Sequence, residues 1–150
     1  GDLSVALPHW GEEYRLTCSR EQKLWAERLY RWGVDMIVGS HPHVVQEVEY
    51  DGRHLTAYSL GNWVSNMSVP FSQIGMLLSV GVTRCEGRVR ILPPEVVYTW
   101  CGRRGHIGDN YTVVPISECV GHPEMFRSRE QYNKLVSEWK ALQEKQLPKQ

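Results

Sequence analysis

The stretch VDMIVGSHPHV (34–44) decides how the rest of this 150-residue sequence is interpreted. Its first five residues are mostly apolar, and such a short run predicts a buried strand. His41 and His43 follow directly, separated by one proline. An imidazole pair at the end of a buried strand is either part of a metal site or two polar residues of an ordinary loop.

A second strand is predicted upstream, where residues 3–7 form an apolar run that ends at Pro8. We expect this strand to be buried and the loop after it to carry His9. A strand, a helix and a second strand of this length predict a βαβ unit with parallel strands and a right-handed crossover.

The helix between the two strands has clear sequence signals. Ser19 and Gln22 have the spacing of a capping box, and Gly33 is placed to end the helix. The predicted apolar face consists of Trp25, Leu29 and Trp32.

Antiparallel hairpins are predicted after the histidine loop. Residues 44–50 and 54–59 flank Asp51-Gly52, and residues 74–84 and 88–99 flank Glu86-Gly87. We expect Pro93-Pro94 to interrupt the last of these strands.

The C-terminal part is predicted to end in a helix. Residues 101–123 look loop-like, with one short strand at 111–114, and a helix starts near Ser128. Its apolar stripe is Tyr132, Leu135, Val136, Trp139 and Leu142. The last residues, 147–150, are expected to fray. The predicted fold class is therefore α/β in a single unit, 1–150, whose helix and tail occupy 124–150.

Composition excludes some partners and leaves others open. Lys+Arg and Asp+Glu both total 17, so bulk charge does not favour nucleic acid or an anionic membrane. The four cysteines lack zinc-finger spacing, and their disulfide state stays open. No signal peptide and no apolar run of about 20 residues is visible.

The histidines at the strand ends are the candidate chemistry. Ligands gather at the carboxyl ends of parallel strands, so His9, His41 and His43 are expected to converge there. Neutral imidazole suits zinc, iron, manganese or copper, and a turn at Pro42 would splay two rings toward two ions. The alternative is that the histidines are structural, as we expect for His54 and His122. His106 adjoins a Gly- and Arg-rich turn, 102–105, which would bind an anion or else be a solvated loop.

Three motifs together resemble a known family. HWGEEY (9–14), GSHPHVVQ (39–46) and YSLGNWV (58–64), in this order and spacing, resemble the bacterial capsule-synthesis CapA family, also called the poly-γ-glutamate synthesis family. That family belongs to the calcineurin-like metallophosphatase superfamily, so the resemblance implies a metallophosphatase-like α/β sandwich. It covers about residues 1 to 65 and is weak beyond residue 70.

The resemblance implies roles for individual residues. His9 and His41 would ligate one metal ion and His43 the other, in a centre of two divalent ions (Mn, Fe or Zn). Glu13 and Asn62 would face the substrate or support the ligands. Asn62 would donate its amide to a phosphate or carboxylate, or else only cap the turn after Gly61. Trp10 would wall the pocket, or else serve packing.

The superfamily's other ligands are not found in this sequence. It uses an Asp-x-His, a bridging aspartate and an Asn-His motif earlier in the chain, so we expect these residues to be the C-terminal portion of such a domain. The resemblance then implies weak metal binding and no phosphatase activity for this chain alone. It also implies an unpaired sheet edge, completed by a second chain or by an N-terminal half.

The implied function is synthesis of capsule or poly-γ-glutamate at the cell envelope, outside the cytoplasm. The expected substrate is an anionic polymer or a phosphoester, acted on by a metal-dependent hydrolase or transferase. The alternative is a non-catalytic scaffold or polymer-binding module, so the sequence leaves enzymatic activity open.

Overall fold

The computed structural model describes residues 2–146 and shows a mixed α/β fold, as predicted. Its first sheet has the order β1-β2-β4-β3, with β1 and β4 parallel to β2 and β3 antiparallel to β4. These strands are β1 (Val5–Ala6), β2 (Met36–Val38), β3 (Val48–Tyr50) and β4 (Leu55–Ala57). The parallel β1–β2 pair and the hairpin at Asp51-Gly52 confirm two predictions.

The first strand differs from its prediction. β1 has two residues rather than five, and it is exposed rather than buried: Val5 is 42% and Leu7 75% accessible. β1 pairs only with β2 among the described residues, so it is the edge of this sheet. An edge strand with no neighbour on its outer side leaves apolar side chains in solvent.

Helix α1 (Arg20–Arg31) begins where the capping box places it. The Ser19 hydroxyl accepts a hydrogen bond from the Gln22 N–H, and the Gln22 side chain accepts one from the Ser19 N–H. The predicted apolar face is right only for Leu29, which packs beside Ala26 against the first sheet. The buried positions of the helix are Gln22 and Ala26. Trp25 and Trp32 are 40% and 70% exposed and pack against each other at the surface.

The second half forms two further sheets. β5 (Ile74–Ser79), β8 (Glu95–Gly102) and β9 (Thr112–Pro115) form an antiparallel sheet in the order β5-β8-β9, and β6 (Val82–Cys85) pairs with β7 (Arg88–Ile91). The turn at Glu86-Gly87 is confirmed, and both residues have positive φ. The predicted strand 74–84 is two strands, broken at 80–81, while Pro93-Pro94 separates β7 from β8 as expected.

The region 101–123 contains more structure than predicted. β8 extends to Gly102, and α2 (Ile116–Cys119) and a 3₁₀ turn (Pro123–Met125) follow β9. The final helix, α3 (Arg129–Gln146), confirms its prediction, and the Ser128 hydroxyl accepts a hydrogen bond from the Gln131 N–H. The fraying predicted for residues 147–150 lies outside the described residues.

Two groups of apolar side chains hold these elements together. A smaller group of Ala26, Ile37 and Tyr58 lies between α1 and the first sheet. A larger group joins the second sheet to α3 and includes Trp100, Leu135 and Leu142, each at most 1% exposed. Two members of the predicted α3 stripe are therefore fully buried, and the rest of the stripe packs beside them.

Two glycines allow the first two sheets to touch. Gly61 and Gly75 form an isolated antiparallel bridge. A Cβ at Gly61 would lie 2.6 Å from the Ile74 carbonyl oxygen, and one at Gly75 would lie 2.3 Å from that of Asn62. Because any side chain there would collide with backbone, this crossing fixes the position of the neighbouring Asn62.

Two questions left by the sequence concern membranes and disulfides. Within residues 2–146, no helix has both the length and the apolar character that crossing a bilayer requires. The four cysteines all lie in this described part, and each is a free thiol.

Candidate metal centre

Backbone hydrogen bonds join the two loops that carry the histidines. The Ser40 N–H donates to the Pro8 carbonyl at 3.0 Å, and the Trp10 N–H donates to the Ser40 carbonyl at 3.0 Å. Farther along, the Tyr14 N–H donates to the Pro42 carbonyl at 2.8 Å. The loop after β1 is thereby fixed against the loop after β2 over about six residues.

The three histidines lie together, as the strand-end argument predicts. The ring centroids of His9 and His41 are 4.5 Å apart, and those of His41 and His43 are 6.0 Å apart. The Nδ1 atom of His9 also lies 3.4 Å from the Ser40 hydroxyl. Their role as metal ligands stays a prediction.

The backbone on both sides of Pro42 is strained. His41 has a φ of 105° and His43 a φ of 59°, in the region that residues with a Cβ rarely adopt. An extended HxH segment would send both rings in one direction. The two positive φ values instead tilt the ring planes to 55° from each other.

Glu13 lies nearer to the histidine pair than the sequence indicates. One ligand atom from each of Glu13, His41 and His43 lies within 4.8 Å of the other two. The Glu13 Oε1 atom is 3.9 Å from the His43 Nε2 atom. This separation is too long for a direct hydrogen bond, so the structure shows two groups that face each other across a gap.

Asn62 is fully engaged by protein groups. Its amide Nδ2 donates to the carbonyl oxygens of His43 and Ser72 at 3.2 and 3.0 Å, and its Oδ1 atom lies 3.1 Å from the His43 Nδ1 atom. With both amide hydrogens directed at carbonyls, Oδ1 faces the ring as an acceptor. In the neutral form of the ring, Nδ1 then donates to Oδ1, and Nε2 carries the lone pair.

Trp10 packs behind the loop and also borders a cavity. Its indole N–H donates to the Tyr58 carbonyl at 2.9 Å, and the two rings stack with centroids 5.9 Å apart. Burial raises the pKa of Tyr58, whose hydroxyl donates to Glu49. On its other side Trp10 lines a cavity of about 570 Å³ together with His9, Arg20 and Trp25.

Gln46 ends the GSHPHVVQ motif, but the sequence alone assigns it no role. Its Oε1 atom accepts a hydrogen bond from the Gln22 Nε2 group, and its own Nε2 group donates to the Arg15 and Thr17 carbonyls. Gln22 and Gln46 are each 1% exposed. The available signal was a polar residue directly after Val44 and Val45, because a buried amide in such a place must find partners.

The remaining histidines lie in other local contacts. His54 pairs with Asp51 at 3.1 Å and His122 with Glu124 at 2.8 Å. His106 follows β8, where burial lowers its pKa. None of these three belongs to the group of Glu13, His41 and His43.

Comparison with known proteins shows which family the first part of the chain resembles. Residues 1–67 match the family described as bacterial capsule synthesis protein PGA_cap. The chain is 44% identical over 63 residues to the capsule biosynthesis protein CapA of Bacillus anthracis, a match that covers 42% of this chain and 15% of the relative. It is 40% identical over 96 residues to the PGA biosynthesis protein CapA of Bacillus subtilis, covering 63% of this chain and 25% of the relative.

These matches cover only a part of each relative. The matched part of the chain spans a quarter or less of the length of either relative. The matches nevertheless include all three motifs that surround the histidines. Over residues 1–67, the chain is therefore similar to the bacterial capsule synthesis family.

Proposed function

We propose that this chain carries part of the metal centre of an enzyme that makes or processes an anionic capsule polymer, with His9, His41 and His43 as metal ligands. One observation carries the proposal. Three imidazoles from two separate loops meet at the carboxyl end of β1 and β2, with neighbouring ring centroids 4.5 and 6.0 Å apart. Both relatives are named for capsule or PGA biosynthesis, which supplies the polymer.

The residues present fit a divalent transition metal. Imidazole nitrogen with an optional carboxylate oxygen is the donor set that Zn, Mn and Fe take in hydrolytic enzymes. Asn62 leaves the Nε2 lone pair of His43 free, as a ligand requires. When bound, two such ions would polarise the group under attack and lower the pKa of a bound water.

The cavity beside His9 is the proposed place for the substrate. Trp10 and Trp25 give it two flat apolar walls, and Arg20 contributes a guanidinium group that pairs with carboxylate or phosphate. The same lining holds the Glu12 and Glu21 carboxylates, so Arg20 is the group in it that would pair with a carboxylate of poly-γ-glutamate or with a phosphoester. We place the reaction at the cell envelope, outside the cytoplasm, where a capsule is assembled.

The test compares two forms of the protein. We expect the full-length protein to retain two equivalents of Mn, Fe or Zn after purification, as measured by elemental analysis. We expect metal-dependent cleavage of p-nitrophenyl phosphate or of poly-γ-glutamate, reduced by His41→Ala about a hundredfold or more, because the ligand is lost. The 150-residue chain alone should show no turnover.

Two results of this test would contradict the proposal or its expectation for the 150-residue chain. A full-length protein that is free of metal and inactive would overturn the proposal and favour a non-catalytic scaffold that keeps the fold. Turnover by the 150-residue chain that is lost in His41→Ala would show that its own residues suffice for the chemistry.

A further inference from the structure

We infer that the turn after β8 binds one oxyanion, a carboxylate or a phosphate group, through the side chains of Arg103 and His106. Lys134 and Gln131 on α3 complete the site, and these four residues are called the β8-turn cluster. All of them lie beyond residue 70, outside the three motifs that surround the strand-end histidines. The inference therefore concerns a second site, and it does not depend on the proposed metal centre.

Packing between β8 and α3 fixes where the turn lies. The Tyr98 ring packs against Trp139 with centroids 5.0 Å apart, and the Lys134 Nζ atom lies 5.8 Å from the centroid of the Trp100 ring. Tyr98 and Trp100 are two residues apart and share one face of the strand, while their helix partners follow in the opposite direction. The end of β8 is therefore next to the first turns of α3.

The turn itself is held against the start of α3. The Arg127 N–H donates to the His106 carbonyl at 2.9 Å, two residues before the helix begins. Gln131 lies three residues before Lys134 and shares its face of the helix. Within the turn, the His106 N–H donates to the Arg103 carbonyl at 2.9 Å, so this backbone group is paired and the side chains provide the free donors.

Several buried side-chain atoms of this region have no hydrogen-bond partner within residues 2–146. They are the Trp100 Nε1, Arg103 Nε, His106 Nδ1 and Gln131 Oε1 atoms. Trp100 is 0% exposed, and the indole and guanidinium nitrogens are donors only. The region therefore has more buried donors than acceptors, and the Gln131 amide presents a further donor when it rotates by half a turn. An oxyanion supplies several acceptor lone pairs at once.

Charge favours an anion over water at these donors. Arg103 forms no ion pair with the described part of the chain, and its Nη1 atom donates to the Asn66 carbonyl at a long 3.4 Å. Lys134 lies 3.7 Å from Glu138 and donates to Gln73, so it adds positive charge that is partly neutralised. The guanidinium edge that holds Nε is the planar fork that matches carboxylate and phosphate oxygens.

The electrostatic field at His106 has the sign that an anion requires. Burial and the positive charges of Arg103 and Lys134 lower the pKa of this ring. Water at the unpartnered donors would supply acceptors without reducing the positive field. A carboxylate or a phosphate does both, because its negative charge offsets the partly buried cations.

The turn offers a matched control for the charge of Arg103. Arg104 follows it directly, is exposed, and has no atom among the buried unpartnered ones. Arg103→Gln and Arg104→Gln therefore change net charge equally and differ in the proposed ligand contact. Arg103→Lys keeps the charge but removes the planar fork. Circular dichroism and thermal unfolding establish that each variant keeps the fold.

The experiment titrates the 150-residue chain with inorganic phosphate at constant ionic strength, with a chelator present so that no metal ion takes part. Nuclear magnetic resonance of the Arg103 Nε–H group and of the His106 ring nitrogens follows binding. We expect saturable shifts at millimolar phosphate, with one dissociation constant for both residues. Arg103→Gln should raise that constant about tenfold or more, Arg103→Lys by less, and Arg104→Gln by less than about twofold. Shifts that do not saturate, or equal losses in the two glutamine variants, would overturn the inference.

A second titration distinguishes the two sources of the oxyanion. A γ-linked glutamate oligomer that displaces phosphate, and that loses affinity in Arg103→Gln, identifies polymer carboxylates as the ligand. An oligomer that leaves phosphate bound identifies free phosphate instead. Neither titration involves a metal ion, so a failure here leaves the proposed metal centre standing, and an inactive full-length protein leaves this site standing.

Discussion

At His41 and His43 the backbone carries a conformational cost that the surrounding structure sustains. Both residues have positive φ, and a non-glycine residue in that region costs about 1–2 kcal/mol. The His43 carbonyl accepts a hydrogen bond from Asn62, and the Pro42 carbonyl accepts one from Tyr14. Such strain persists where neighbouring contacts determine the conformation, and here it tilts the two imidazole planes apart.

The strain predicts an unusual order of stability at His41. Glycine normally destabilises relative to alanine, but at a φ of 105° we expect His41→Gly to unfold with a higher free energy than His41→Ala, by about 1 kcal/mol. Urea denaturation of both variants measures the difference. At the neighbouring Ser40, whose φ is not positive, the order should be the usual one. An alanine variant at position 41 as stable as the glycine variant would contradict the backbone argument.

The sequence predicts the position of a site residue only where a local pattern determines that position. The strand-end rule placed His9, His41 and His43 together, and they are together. The contacts of Asn62 could not be predicted, because they depend on the crossing of Gly61 with Gly75 and on the Ser72 carbonyl. Gly75 and Ser72 lie beyond residue 70, where the sequence resemblance is weak, whereas Gly61 belongs to the YSLGNWV motif.

Among the elements, α1 begins where the sequence predicts, but only Leu29 of its predicted apolar face packs against the sheet. The Ser19–Gln22 box is local, so the start of the helix was predictable. The buried face was not, because counting tryptophans favoured Trp25 and Trp32, while the helix buries the Gln22 amide. That amide is buried at little cost because Gln46 satisfies it, and Gln46 is distant in sequence.

The Gln22–Gln46 pair yields a prediction about how α1 is attached to the histidine loop. We expect Gln46→Leu to lower the free energy of unfolding by about 2–3 kcal/mol, because it leaves the Gln22 amide and the Arg15 and Thr17 carbonyls without their partner. In a double-mutant cycle with Gln22→Leu, the two losses should overlap by about 1 kcal/mol or more.

The control for this cycle is Gln143, an exposed glutamine on α3. Gln143→Leu should change stability by less than about 0.5 kcal/mol. If the losses at positions 22 and 46 add without overlap, the two amides do not act as one network.

At the scale of the whole molecule, one carboxylate connects α3 to the segment behind the candidate site. The Phe71 N–H donates to the Glu138 Oε2 atom at 2.9 Å, and the next residue, Ser72, supplies a carbonyl that anchors Asn62. Glu138 is 8% exposed and lies 3.7 Å from Lys134 on the same helix. Helical periodicity predicted α3 and its stripe, but it did not predict a buried carboxylate in that stripe, because its partner is 67 residues away.

Burial raises the pKa of Glu138 above its usual range, against the opposing effects of Lys134 and the Phe71 N–H. The folded protein therefore holds the Glu138 proton more tightly than the unfolded chain does. The resulting contribution to stability is complete below the ordinary glutamate pKa and is lost as pH rises through the raised value. Glu138→Gln removes this proton but keeps an oxygen for the Phe71 N–H. The free energy of unfolding of this variant, relative to that of the native chain, should therefore increase from about pH 4 to about pH 8.

Glu138→Ala should instead lower the free energy of unfolding by about 1–3 kcal/mol at every pH, because it leaves the Phe71 N–H unpaired. Urea unfolding over this pH range measures both, with the exposed Glu144→Gln as control, and identical pH profiles for Glu138→Gln and the native chain would show that the carboxylate is not strained by burial.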